Sequence, residues 1–387
     1  MKMLRRVLAL VIAVVAIAFF LLPRVVESRM NRVLQEPPYH VSEAAQKLHQ
    51  QLIVADLHAD ALLFGRNLLV KGSRGHIDLP RLQEGNVAIQ AFTVVTKTPH
   101  GLNIERNDAS SDDITALAIV DLWPPRTWNS LLERALYQAQ RLQQFADKSE
   151  GQVVLLRSRA DLDNFLAARK SNPKLVAGFL GLEGSQALQG KLENLDKLYA
   201  AGFRMAAPVH FFDTEISGAA AGVKKSGLTD LGRHWVRDME ARHMITDLAH
   251  ASAATIDDVT AMAKRPVLVS HTGVKGTCNN NRNLSDEQLR KIANTGGLIG
   301  IGFWDTATCG KDAAAIARAI QYAVGVIGVD HVALGSDFDG AVTTPFDVTG
   351  LPLITEALMK QGFSPDDIAK VMGGNVVRFL RENLPER

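Results

Sequence analysis

Cysteine is scarce. The 387 residues contain two, Cys278 and Cys309. A zinc site built on thiolates needs more of them or a short characteristic spacing, so that chemistry is excluded. The two thiols are left either to pair or to stay free and buried. A charge of one sign is also missing. The formal net charge is +2, and it is unevenly placed: residues 1–33 are strongly basic and the rest is slightly acidic. There is no basic stripe, which excludes a nucleic-acid partner. Internal repeats and low-complexity tracts are absent outside the N-terminal run. What remains, 47% hydrophobic and 22% charged residues, is the composition of a globular enzyme with a large core.

The N-terminus reads as a targeting segment. MKMLRR precedes VLALVIAVVAIAFFLL, residues 7–22, which carry no charge. A basic start before an apolar run is the signal-sequence pattern. The run is short for a spanning helix, and no clear A-x-A cleavage site follows; VVES at 25–28 is weak. An uncleaved signal-anchor helix is the favoured expectation and a cleaved signal the other. Either way the body is expected outside the cytoplasm, periplasmic or extracellular, with the positive start left inside. Residues 1–40 are then anchor and linker, with Pro37-Pro38 as punctuation. Residues 41–387 form the catalytic body.

Along that body, short apolar runs alternate with amphipathic segments. The runs are LIVADLHAD (52–60), VAIQAFTVV (87–95), LVAGFLGLEG (175–184), FRMAAPVHFF (203–212), MITDLAHAS (244–252), PVLVSHTG (266–273), GLIGIGFWD (297–305) and HVALGSDFDG (331–340). Helical patterns such as SDEQLRKIANTG lie between them, closing near Gly or a basic residue. Strand–helix alternation predicts parallel strands, and eight of them predict an α/β fold, a (β/α)8 TIM barrel. Segment 97–130 is too long for a simple connection and is expected to lie over the barrel mouth.

The ends of these runs carry the chemistry. His58 and Asp60 end the first, on one face because strand side chains alternate. Glu183, His210, His250, His271 and Asp337 end five others. In a barrel the C-terminal strand ends meet at one mouth. One His at a strand end is ordinarily structural, and one carboxylate can simply cap a helix. Four histidines and three carboxylates arriving together are not explained that way, and this donor set suits zinc-type metals. Two ions are expected. His58 and Asp60 would serve one and His250 and His271 the other, with Glu183 bridging ions about 3.5–4 Å apart. A metal-bridging hydroxide would be the nucleophile. His210 would polarise a carbonyl or oxyanion, and Asp337 would carry the proton to the leaving amine.

DLHAD, GLEGSQAL, PVH, DLAHAS, PVLVSHT, NNRN and GSDFDG, in that order over residues 52–340, resemble the membrane (renal) dipeptidase family, peptidase family M19. GGNVVRFL at 373–380 is similar to that family's closing helix. The resemblance implies a metal-dependent hydrolase barrel with two zinc ions, the metal ligands named above, and dipeptides as substrates, including those with a C-terminal D-residue. It implies substrate roles for His210 and Asp337, and it assigns Arg282 to the substrate's terminal carboxylate. It also implies a Cys278–Cys309 disulfide. Family members often dimerise, so a homodimer is a further expectation, although no helix face marks an interface.

The chain departs from the pattern in places. Nothing at its C-terminus resembles a lipid-anchor signal. WDTATC stands where animal members carry a pocket Tyr, so Trp304 or Thr306 must act differently. Segment 97–130 lies outside the motif set. Another binuclear amidohydrolase, such as an N-acyl amino acid deacylase, lactonase or phosphotriesterase, is the alternative enzyme. An anchored metal- or peptide-binding protein is the non-catalytic reading.

Overall fold

A computed structural model describes residues 3–7 and 22–387. Its eleven strands are β1 (Arg32–Val33), β2 (Val54–Ala59), β3 (Val87–Val95), β4 (Val153–Leu155), β5 (Val176–Glu183), β6 (Phe203–Ala206), β7 (Ile245–Thr246), β8 (Leu268–Thr272), β9 (Leu298–Ile301), β10 (Val332–Leu334) and β11 (Thr343–Thr344). Each of the eight apolar runs contains a strand. They are buried end to end, as parallel strands covered on both faces must be. β2, β3, β5 and β8 have no exposed residue.

The ladder runs β7-β6-β5-β3-β2-β10-β9-β8 with every pair parallel, and β4 adds to the side of β5. This corrects the expected closed (β/α)8 barrel. The sheet is a curled, TIM-like half-barrel of eight strands whose ends meet only through an isolated bridge, Asp247 to Leu268. The reason is local. β7 is two residues long, and the Asp247 carboxylate accepts the Ser270 and Ala249 backbone N–H groups, at 2.9 and 3.0 Å, where a ladder would continue.

The expected N-terminal anchor helix is corrected too. Most of its apolar run, residues 8–21, lies outside the described residues. Among the described residues no helix is long and apolar enough to cross a membrane. The described flanks carry charge: residues 3–7 hold Arg5 and Arg6, and the helical stretch 22–30 holds Arg24, Glu27 and Arg29. Part of the expected linker is therefore helix, and β1 follows it to pair with β11.

The connecting helices begin where a polar side chain can take an orphan N–H. Ser158, Ser252 and Asp312 each do so, and Ser285 forms a capping box with Gln288. These helices cover the outside of the sheet and leave its C-terminal edge to the loops.

Candidate active site

All eight residues singled out in the sequence converge at that edge, and all are buried. His58 is in β2 and Asp60 just beyond it; Glu183 ends β5, and His271 is in β8. His210, His250 and Asp337 follow β6, β7 and β10, and Arg282 lies in the loop after β8. His250 and Asp337 have φ of 62° and 63°, a left-handed conformation uncommon for residues with a Cβ and frequent at functional sites. Gly335 lets β10 pass against β8, because a Cβ there would collide with the Ser270 carbonyl oxygen.

One atom organises the cluster. Oε1 of Glu183 lies 3.0 Å from Nε2 of His250, 3.4 Å from those of His210 and His271, and 3.6 Å from that of His58. His58 Nε2 is also 3.6 Å from Asp60 Oδ1 and 3.8 Å from Asp337 Oδ1. Nε2 of His250 and His271 are 3.0 Å apart. His58 Nε2 is buried without a hydrogen-bond partner. Buried nitrogens converging on one carboxylate oxygen and on one another are what a cation would satisfy.

Among the described residues, three sets of donors are close enough to share an ion: His58–Glu183–His271, Glu183–His210–His250, and His58–Asp60–Asp337. The grouping differs from the expected shells, since His271 stands with His58, and His210 with His250. Glu183 belongs to two sets, as does His58.

The electrostatics follow from burial and proximity. Burial alone would push the Glu183 carboxyl up, but His210 and His58 hold it well below the usual range. Burial would lower His58, yet Glu183 and Asp60 keep it well above its ordinary value. Burial, aided by Arg282 and neighbouring imidazoles, pulls His250 and His271 well down. Neutral imidazole is the form that binds a metal. Burial, reinforced by Asp60 and Glu183 and opposed by His58, raises Asp337 well above a normal carboxyl.

A supporting layer was not legible in the motifs. Ser270 Oγ lies 3.0 Å from Nδ1 of both His58 and His271, which turns both Nε2 atoms toward Glu183. Thr93 donates to Asp60 at 2.6 Å. Asp56 accepts from the Ser336 backbone and from Gln90, tying β2 to the start of the GSDFDG turn. Asp56 stands on the same face as His58 and Asp60, so the alternation in DLHAD was its one available signal.

Arg282 donates to the His271 carbonyl at 2.9 Å, and its guanidinium lies 5.5 Å from the Trp304 ring centroid. Trp304, flagged as a departure, is thus a cation–π platform for Arg282. Cys278 and Cys309 form a disulfide. It joins the loop that carries Arg282 to the turn that follows Trp304.

A cavity of about 760 Å³ opens over the cluster, bordered by Asp60, Glu183, His210, His250, Arg282 and Asp337. Segment 97–130 does lie at this mouth. It contributes Leu102, Ile104, Ile114 and Leu117 to the wall. The buried Arg134 fastens it from below by donating to the Thr96 and Thr127 carbonyls.

Parallel strands, a carboxylate shared among imidazoles and a cavity at the strand C-termini define the class: a metal-dependent hydrolase of the TIM-like α/β type. The comparisons give the family. The profile of the membrane dipeptidases, peptidase family M19, matches residues 42–386, and the chain belongs to that family. It is 28% identical over 317 residues to dipeptidase aclJ of Aspergillus oryzae, covering 79% of this chain and 69% of that one. It is 29% identical over 325 residues to dipeptidase tcpJ of Claviceps purpurea, covering 81% and 70%. Among solved structures, the probable dipeptidase PvdM from Pseudomonas aeruginosa shares the fold with a TM-score of 0.73 at 20% identity, over 88% of this chain and 98% of that one. A Rhodobacter sphaeroides metallopeptidase, liganded with a phosphinate mimic of the dipeptide L-Ala-D-Ala, has a TM-score of 0.69 at 24% identity, over 86% and 99%. The chain is therefore a metallopeptidase of the dipeptidase type.

Proposed function

We propose that the chain hydrolyses the single peptide bond of a dipeptide at a two-zinc centre held by His58, Asp60, Glu183, His250 and His271. The observation that carries this reading is the convergence of four imidazole Nε2 atoms on one Glu183 oxygen, with a buried guanidinium alongside. The donor set fits zinc in its chemistry, being imidazole and carboxylate without thiolate. Zinc there supplies Lewis acidity and a water acidic enough to ionise near neutral pH.

The remaining roles belong to the chain. Arg282 receives the substrate's terminal carboxylate, for which a planar guanidinium fork is suited. Its place beside His250 and His271 limits the substrate to one residue beyond the scissile bond. His210 faces the same cavity and stabilises charge developing on the carbonyl oxygen. Asp337, buried beside the cluster, is the carboxylate that takes a proton from the attacking water and passes it to the leaving amine. The L-Ala-D-Ala mimic bound to the Rhodobacter relative supports extending the substrates to a C-terminal D-residue. The Cys278–Cys309 disulfide supports work in an oxidising compartment outside the cytoplasm.

Turnover of L-Ala–D-Ala by the zinc-loaded protein tests the reading. Cleavage is expected, and a chelator should abolish it until zinc is returned. A zinc-loaded, folded protein that cleaves no dipeptide would overturn it.

A further inference from the structure

The family match begins at residue 42, yet residues 22–34 also border the cavity above the metal-ligand cluster. This strap is fastened in several ways. β1 pairs with β11, Arg32 opposite Thr343 and Val33 opposite Thr344. Leu34 N–H donates to the Thr344 carbonyl at 3.0 Å, and Ala341 N–H to the Asn31 side chain at 2.8 Å. Glu27 is 2% exposed and paired with both Arg66 and Arg74. Arg66 pairs in turn with the buried Asp339, two residues beyond Asp337. Burying a carboxylate is costly without such partners, and these partners fix the strap to the loop that bears Asp337.

The strap does not use its apolar side chains for the core. Leu22, Met30 and Leu34 are 50%, 42% and 42% exposed, and all three face the cavity together with Val26. The same cavity takes Leu102, Ile104 and Ile114 from segment 97–130. The cavity therefore combines a polar cluster with apolar walls. Arg282 and Trp304 belong to the loops after β8 and β9. The strap is attached beyond β10, next to the loops that carry Asp60 and Asp337. A dipeptide with its carboxylate on Arg282 and its scissile bond at Glu183 has the rest of this cavity for its N-terminal residue, and the strap and segment 97–130 wall that rest with apolar side chains. A volume of about 760 Å³ also exceeds what the smallest dipeptides fill, since pockets of roughly 300–1,000 Å³ enclose drug-sized ligands.

We propose that residues 22–34 form a specificity wall that selects dipeptides with a large apolar N-terminal side chain, with Val26 and Met30 at the contact. This rests on the dipeptidase reading and deepens it.

The test uses the full zinc-loaded chain and the series Gly–Ala, Ala–Ala, Leu–Ala and Phe–Ala. The wild type should prefer Leu–Ala or Phe–Ala over Gly–Ala by roughly 10–200-fold in kcat/KM, the range an apolar pocket discriminates. The double variant Val26→Ser, Met30→Ser should lose about tenfold of that ratio, mainly through KM. Val26→Ile, Met30→Leu should retain it. A wild type without apolar preference, or a ratio unchanged in the serine variant, overturns the wall and leaves the dipeptidase reading standing. A wild type that cleaves none of the four overturns the wall, and one that also leaves L-Ala–D-Ala uncleaved overturns both.

Discussion

Glu183→Ala removes the one carboxylate oxygen within 3.6 Å of four imidazole Nε2 atoms, and it belongs to two of the three donor sets. Loss of an outer-shell partner costs 10- to 100-fold in metal affinity, so loss of a ligand should cost at least about 100-fold at each site. That is about 2.7 kcal/mol per site, or about 5.5 kcal/mol for two. Zinc at 1,000 times Kd stabilises the folded protein by about 4.1 kcal/mol per site, and a 100-fold weaker site at the same free zinc by only about 1.4 kcal/mol. For 387 residues, an unfolding entropy of about 2.1 cal/mol/K per residue makes 1 kcal/mol worth roughly 1.2 °C in Tm. Glu183→Ala should therefore forfeit roughly 6–7 °C of the zinc-induced rise in Tm, read by calorimetry on the variant with and without zinc. Metal content after buffer exchange should fall from about two ions per chain toward none. Asp60→Ala, whose residue belongs to one set only, should lose about half as much. A Glu183→Ala protein that keeps two ions, or that behaves like Asp60→Ala, would refute the shared-carboxylate arrangement.

Asp337→Asn preserves shape and removes the titrating proton, so it should retain metal and lose about 10²–10⁴-fold in kcat; full activity would exclude proton transfer by this residue. The disulfide closes a separation of 31 residues, and a loop of that length corresponds to ~3.7 kcal/mol in the chain-entropy treatment. Cys278→Ala, Cys309→Ala should lower stability by up to that amount and raise KM by loosening Arg282, measured by denaturation and by dipeptide kinetics. Stability should also fall with acid. His49 and His76 are buried and held below their ordinary value of 6.5, burial being the main cause for each. The Gly85 carbonyl accepts from His49, and the Asp339 N–H donates to Nδ1 of His76, which must be unprotonated to accept it. The unfolded chain binds these protons first, so stability is full above pH 6.5 and declines below it. The slope is up to about 1.4 kcal/mol per pH unit for each group. Urea unfolding of the metal-free protein between pH 7.5 and 5 reads this, and His49→Gln should flatten it.

The eight strands were legible because each is a continuous apolar run bounded by Gly or a charged residue, and burial on both faces imposes that pattern. Their ends were overread. MITDLAHAS yields only Ile245–Thr246 as strand, because Asp247 captures backbone N–H groups and His250 turns at positive φ. Strands β1, β4 and β11 are two or three residues long and too short to show a period. Seven of the eight site residues were legible because each ends an apolar run, where a charge or imidazole needs a partner; Arg282 lies in a loop and was indicated only by the family resemblance. Ser270 was not, since a hydroxyl beside His271 looks like any strand Ser until two Nδ1 atoms are seen to meet it. The strap was not legible either. Its fastening depends on Glu27 reaching Arg66 and Arg74, some forty residues on, and no local pattern encodes such a pairing.

The deciding comparison is between a dipeptide and its C-terminal amide, Leu–Ala against Leu–Ala-NH₂, on one sample whose metal content is known. Arg282 beside the metal-ligand cluster predicts that the free acid is cleaved at least about 100-fold faster, as expected when a buried cation is left without an anionic partner. Arg282→Ala should erase that difference, and chelation should stop both reactions. Equal turnover of acid and amide by the wild type, or cleavage that survives removal of the metal, would contradict a dipeptidase whose substrate is measured by Arg282 and opened at the Glu183 centre.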